Sequence, residues 1–292
     1  MVNETIGCLA ALGSAAAWAY GSILFRELGS DVSPAGMTLS SSAIGILYMG
    51  LALLAVGLEP VSTRAFLLLG ASGVLGLALG TILFFRALMC LGPKLMMILG
   101  LICPVLTVGL AVVLLKERPS AAAWAGSLIT LAGLAVVLWK RPPSGQREKL
   151  APGITYALLS ALCTAFSIIL AKIGVAEVPA LEASLIRHSW AAGALLLWGL
   201  AGGGLKGWLA PFREPRLAKL LFFATFVIIF GGFWLSMVAL KYVYASVATV
   251  LNMTEPLFIL PLTALLLKEK VSAREIAGAL IAFSGVAVIL LN

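Results

Sequence analysis

Ten runs of predominantly apolar residues fill nearly the whole chain and leave little else to fold. They lie near 5–25, 35–57, 65–86, 95–115, 120–139, 152–172, 180–201, 217–240, 245–267 and 272–291. An α-helix rises about 1.5 Å per residue, so a run of about 20 residues crosses the roughly 30 Å of hydrocarbon in a bilayer. Charged residues are 11% of the chain and the mean hydropathy is +1.11. A soluble domain carries about a quarter charged residues, and no soluble core absorbs this much apolar surface. The composition therefore predicts an all-α integral membrane protein with ten transmembrane helices. Its connections are too short to form a separate catalytic domain.

The remaining chemistry is sparse. The start, MVNETIG, carries Glu4 and no basic region, so the first run is expected to stay as a helix and not to be cleaved as a signal. Cys8, Cys90, Cys103 and Cys163 fall within or at the ends of spans, at spacings that match neither a metal site nor a disulfide framework. His188 is the single histidine. There is no HExxH, no GxSxG and no phosphate-binding Gly-rich loop, so no metal and no cofactor is expected.

The chain repeats itself. At an offset of 152, residues 87–138 align with 239–290 without a gap, and 19 of the 52 positions are identical. The informative matches are Pro104 with Pro256, LLKER at 114–118 with LLKEK at 266–270, Ser120 with Ser272, Gly126 with Gly278 and Gly133 with Gly285. A weaker match at offset 146 pairs Ala11, Ser14, Ala15 and Ala19 with Ala157, Ser160, Ala161 and Ala165. The repeat unit is five helices, giving halves at 1–146 and 147–292. Because five is odd, the second copy must enter the bilayer upside down relative to the first. Such inverted repeats suit secondary transporters, where two halves rock about a central site.

The segments CPVLTVGLAVVLLKERPSAAAWAGSLITLAGLAVVL at 103–138 and EPLFILPLTALLLKEKVSAREIAGALIAFSGVAVIL at 255–290 resemble the two repeats of the EamA family of the drug/metabolite transporter superfamily. The shared pattern is a Pro-bearing helix, a Leu-rich run ending in Glu, a short loop and a Gly-x6-Gly helix. One departure is Lys116 or Lys268 before the Glu, where the family often has Gly. The resemblance implies ten helices and export of amino acids or related metabolites. Within the family, the aromatic amino-acid exporters of the YddG type are the most similar in kind. The Gly-x6-Gly face resembles the dimer-forming last helix of small multidrug transporters, which implies an internal pseudo-dimer and a functional monomer.

Seven residues make two helical turns, so Gly126 and Gly133 share a face, as do Gly278 and Gly285. Small residues let membrane helices approach closely, and the fifth helix is expected to pack on the tenth through these faces. Pro104 and Pro256 fall near the centres of the fourth and ninth spans, where proline frees the carbonyls of Gly100 and Asn252 from the helical ladder. Broken backbone is tolerated at that depth where it faces protein or a wet cavity, so a polar path is expected there. Ser246, Thr249, Asn252 and Glu255 step by three along the ninth helix; Lys94, Met97, Gly100 and Cys103 correspond on the fourth. Glu255 is the one acidic residue near a span centre, placed either to meet an ammonium or a proton, or to hydrogen-bond at the break. Arg187 and His188 have two readings as well: a snorkelling arginine with a hydrogen-bonded histidine, or substrate contacts. Trp18, Phe84 and Phe233, with Phe85 and Trp190, lie deep enough to form an aromatic wall. The expected cavity set is thus Trp18, Phe84, Met97, Gly100, Phe233, Thr249, Asn252 and Glu255.

Loops after the odd-numbered spans carry 14 of the 20 Lys and Arg residues, the alternate loops carry five, and Arg187 lies within a span. By the positive-inside rule both termini face outward, the periplasmic side of a bacterial inner membrane. The net charge of +8 then reads as topology and lipid contact, with no nucleic-acid partner. The expected function is export of aromatic or neutral amino acids and related small metabolites by alternating access. A passive channel or a membrane-embedded enzyme is the alternative, although one Glu, one Arg and one His give an enzyme little to work with.

Overall fold

The computed structural model describes residues 2–28, 34–138, 147–202, 214–266 and 272–291, and every regular element among them is helical. The first two spans are Val2–Leu28 and Pro34–Val56. The third is composite: an α-helix Thr63–Ser72, a π-wound stretch Gly73–Gly80, then Thr81–Gly100, which also carries the start of the fourth span. The fourth continues as Ile102–Leu114 and the fifth is Ala121–Leu138. The second half repeats this order with Arg147–Val175, Ala180–Ala201, then Pro215–Phe226, π-wound Val227–Trp234 and Leu235–Tyr242 as the eighth span. The ninth is Ala245–Asn252 with Glu255–Leu266, and the tenth is Ala273–Leu290. One boundary differs from the sequence reading: Thr81–Gly100 is continuous where a connection near 87–94 was expected.

The two prolines do not sit in the middle of unbroken helices. A turn at Leu101 precedes Ile102–Leu114, and turns at Met253 and Thr254 precede Glu255–Leu266. Pro104 and Pro256 therefore occupy the first turn of a new helix, where the missing N–H has no ladder bond to lose.

The π-wound stretches explain the Ser14 and Ser160 match. A π turn loosens the backbone ladder and leaves carbonyls open to side-chain donors. Ser14 Oγ donates to the Gly232 carbonyl and Ser160 Oγ donates to the Gly80 carbonyl, each at 2.8 Å. The first helix of each half thus bonds to the third helix of the other half. Glycine makes the approach possible: a Cβ on Gly231 would meet Ala17, and one on Gly76 would lie 2.3 Å from Ser167 Oγ.

The fifth and tenth helices pack antiparallel. A Cβ on Gly126 would come within 2.7 Å of the Gly285 carbonyl, and one on Gly133 within 2.7 Å of the Gly278 carbonyl. The pairing is first glycine to last, as antiparallel helices require. Thr130 Oγ, lying between the two glycines of the fifth helix, donates to its own Gly126 carbonyl at 2.8 Å. Both helices begin at a serine cap: Ser120 Oγ accepts from Ala123 N at 3.1 Å, and Ser272 forms a capping box with Glu275.

One end of the bundle is tied by charged side chains. Arg64 and Ser62 reach Glu177, and Glu59 N donates to buried Glu182 at 2.7 Å. Lys172 Nζ donates to the carbonyls of Leu240 and Val243, both at 2.6 Å, and Lys241 Nζ donates to that of Val178 at 2.9 Å. Glu117 crosses from the fourth helix to the start of the ninth. Its carboxylate accepts from Ala245 N at 2.6 Å, Ser246 N at 3.2 Å and Ser246 Oγ at 2.7 Å. The connections after the second, fourth, sixth and eighth spans therefore meet at one face.

Candidate functional site

The break in the ninth span leaves Asn252 as the last residue of one helix and Glu255 as the first of the next. Asn252 Nδ2 donates to Ser236 Oγ of the eighth span at 3.0 Å, while its buried Oδ1 has no partner. Glu255 shares a hydrogen bond with Ser22 of the first helix. Ser22 lies one turn beyond Trp18, so the two point the same way. Trp18 meets the edge of Phe233 with ring centroids 4.8 Å apart, and His188 meets Phe233 at 4.6 Å. Phe233 lies in the second π-wound stretch and is thereby the hub of an aromatic cluster. His188 Nδ1 lies 2.8 Å from the Ser184 carbonyl, an acceptor only, so Nδ1 carries hydrogen there.

Arg187, next to His188, is turned inward: it is 6% exposed and does not snorkel to the headgroups. Nη2 donates to Ser167 Oγ at 3.2 Å, Nη1 points at Met237 Sδ at 3.3 Å, and Nε has no partner. The eighth span organises all of this. Phe233, Ser236 and Met237 occupy about a 100° arc of that helix and touch His188 with Trp18, Asn252, and Arg187 in turn.

Of the residues singled out in the sequence, the structure brings Trp18, Phe233, Asn252 and Glu255 into this one region. Others lie apart. Phe84 is 37% exposed and stacks edge-on with Phe85, and Trp190 packs on Phe66 and against Gly70, so neither joins the aromatic cluster. Thr249 is buried and donates back to the Ala245 carbonyl at 2.7 Å, and Ser246 is held by Glu117; the upper half of the polar stripe is structural. Gly100 faces open space, with no atom within 4 Å of a Cβ placed there. The Met97 side chain falls outside the described residues. Ser22, Ser236 and Glu117 were not legible as site or clamp residues. Glu117 alone carried a signal, as the shared Glu of the two LLKE runs.

The description "EamA-like transporter family" matches residues 5–139 and again 151–291. This chain belongs to that family. An EamA-like transporter accounts for both the duplication and the cross-bonded halves. A curated relative, an "Uncharacterized transporter in sor 3'region" of Acidianus ambivalens, is 38% identical over 86 residues, which is 29% of this chain and 33% of that one. The match therefore spans about a third of the relative's length. A solved crystal structure superposes with a TM-score of 0.77 over 97% of this chain and 95% of its own, at 20% identity, and so shares the fold. The chain is thus a multi-pass membrane protein of the EamA-like transporter family.

Proposed function

We propose that this transporter exports amino acids, aromatic or neutral, and related small metabolites by alternating access through the region between its halves, as a monomer. The observation that carries this reading is the convergence of Trp18, His188, Phe233, Asn252 and Glu255 at the break of the ninth span. An aromatic rim with an unpartnered amide oxygen and a carboxylic group suits a small molecule that has an apolar side chain and an amino group. The cross-half bonds of Ser14 and Ser160 support a rocking motion, because each half's first helix travels with the other half's third.

Glu255 has a second part in this reading. Ser22 Oγ gives its one hydrogen to the Ala19 carbonyl at 2.9 Å. The ionised Glu255 carboxylate accepts from that Ser22 hydroxyl in place of the Ala19 carbonyl, and a proton or a substrate ammonium takes the same carboxylate instead. Substrate and proton compete for one group, which is the arrangement an exchanger needs.

The reading is tested by flux from proteoliposomes over a panel of amino acids, with and without a proton gradient. Trans-side substrate accelerates efflux if the protein is a carrier and leaves it unchanged if it is a passive pore. A Glu255→Gln protein that keeps wild-type rate, substrate range and pH dependence removes Glu255 from the mechanism. We place the chain in a bacterial inner membrane with both termini outside, on the charge count of its loops.

A further inference from the structure

We propose that Arg187 is the seat of a monoanion site, filled during transport by the carboxylate of the substrate. The proposal rests on the carrier reading above for its occupant, and on the geometry of Arg187 for its existence.

A guanidinium has five N–H donors and keeps its charge in proteins. Here it is buried seven residues into the seventh helix, about 10 Å below the face where the charged connections meet. It is enclosed by Gly76 of the third span, Ser167 of the sixth and Met237 of the eighth, so it has no route to headgroups. Two donors are placed, one of them on a thioether, which is a weak acceptor. No carboxylate among the described residues lies within ion-pair distance of it. A charge buried within a span is costly, and an unpaired buried one is the costliest arrangement of all.

The surroundings hold the cation in place and leave one buried edge without a partner. Ser72 Oγ donates to the Ser167 carbonyl and Ser167 Oγ donates to the Ser72 carbonyl, both at 2.7 Å. With its hydrogen committed, Ser167 Oγ offers Arg187 a lone pair and pins Nη2, while the Nε edge stays unpartnered. That edge is one side of the fork that takes a carboxylate with two parallel bonds. Lys172 and Lys241 are committed to the backbone carbonyls of Leu240, Val243 and Val178, so the single guanidinium suits a monoanion better than a phosphate dianion.

Depth gives the substrate its orientation. The seventh and ninth helices start at the same face, so Asn252, seven residues in, is level with Arg187, and Glu255 is about 5 Å deeper. Arg187 and Asn252 are joined through adjacent residues of the eighth span, Met237 and Ser236. A zwitterion with its carboxylate on Arg187 turns its ammonium towards Asn252 Oδ1 and Glu255 and its side chain towards Trp18 and Phe233.

The test uses the full chain in nanodiscs of zwitterionic lipid, with thermal unfolding followed against benzoate, its neutral isostere benzamide, and chloride. Benzoate is expected to raise the unfolding temperature saturably and benzamide is not. Arg187→Met and Arg187→Gln are expected to abolish the benzoate effect, and Arg187→Lys to keep a weaker one. Equal responses to benzoate and benzamide in the unsubstituted protein, or a wild-type benzoate response in Arg187→Met, overturn the site; the first comparison needs no variant and so survives any folding defect. Chloride stabilisation that excludes benzoate at low concentration assigns the site to an inorganic ion and overturns the substrate role. In proteoliposomes, the ratio of phenylalanine to phenylalaninamide flux is expected to fall about tenfold in Arg187→Met. If the unsubstituted protein carries neither compound, the carrier reading fails on its own, while the benzoate result still decides the site.

Discussion

Glu117 shows how much one side chain can fix in a protein with so few charges. It is 6% exposed, and three donors at the start of the ninth helix converge on it, as a helix N-terminus favours a carboxylate. Hydrogen bonds to a charged group contribute about 1.5 to 3 kcal/mol. Glu117→Ala is therefore expected to lower unfolding stability by about 2 kcal/mol, read by denaturant titration in detergent. The chain reaches this position because Lys116 adopts φ 55°, which turns the backbone out of the helix. A left-handed residue with a side chain carries about 1 to 2 kcal/mol of strain that glycine does not. The family's frequent glycine at this place now has a cause, and Lys116→Gly is expected to raise the unfolding midpoint while Lys116→Val lowers it.

At the scale of helices, close approach is decided by which glycines face backbone. A Cβ on Gly133 would sit 2.3 Å from Ala282 N, and backbone cannot move aside as a side chain can. Gly133→Ala is expected to separate the fifth and tenth helices and cost more than about 2 kcal/mol. Gly193 has nothing within 4 Å, and Gly193→Ala is expected to be neutral or to gain about 0.5 to 1 kcal/mol from helix propensity. The paired unfolding curves distinguish packing from propensity. The π-wound stretches make a second prediction. Ser14→Ala and Ser160→Ala each remove one buried cross-half hydrogen bond, at about 1 kcal/mol apiece, and the double variant is expected to show the sum, because the two bonds share no partner.

For the whole molecule, the charged connections that tie Glu59, Glu117, Lys172, Glu177, Glu182 and Lys241 together put four loops at one face. In the proposed orientation that face is the outer one, so a cysteine at Gly145, in a connection of the opposite set, is expected to resist an impermeant thiol reagent in intact cells. Labelling there reverses the orientation. With that face clamped, the proposed export has substrate entering from the opposite, cytoplasmic side.

The apolar runs by themselves determined a ten-span helical bundle, because backbone in hydrocarbon has to satisfy its own hydrogen bonds and a helix does so locally. The repeat, read as an odd number of crossings, likewise determined that the halves are opposed. Asn252 and Glu255 stood out for the same local reason: a polar group beside a proline at mid-depth is costly unless it is paired, hydrated or hydrogen-bonded. What tertiary structure decided was every choice of neighbour. It turned Arg187 inward, set Phe84 against Phe85, bound Ser246 to Glu117, and set Ser236 against Asn252. These depend on the rotation of one helix about its axis relative to another, and in a chain where almost every position is apolar, periodicity carries too little contrast to fix that angle.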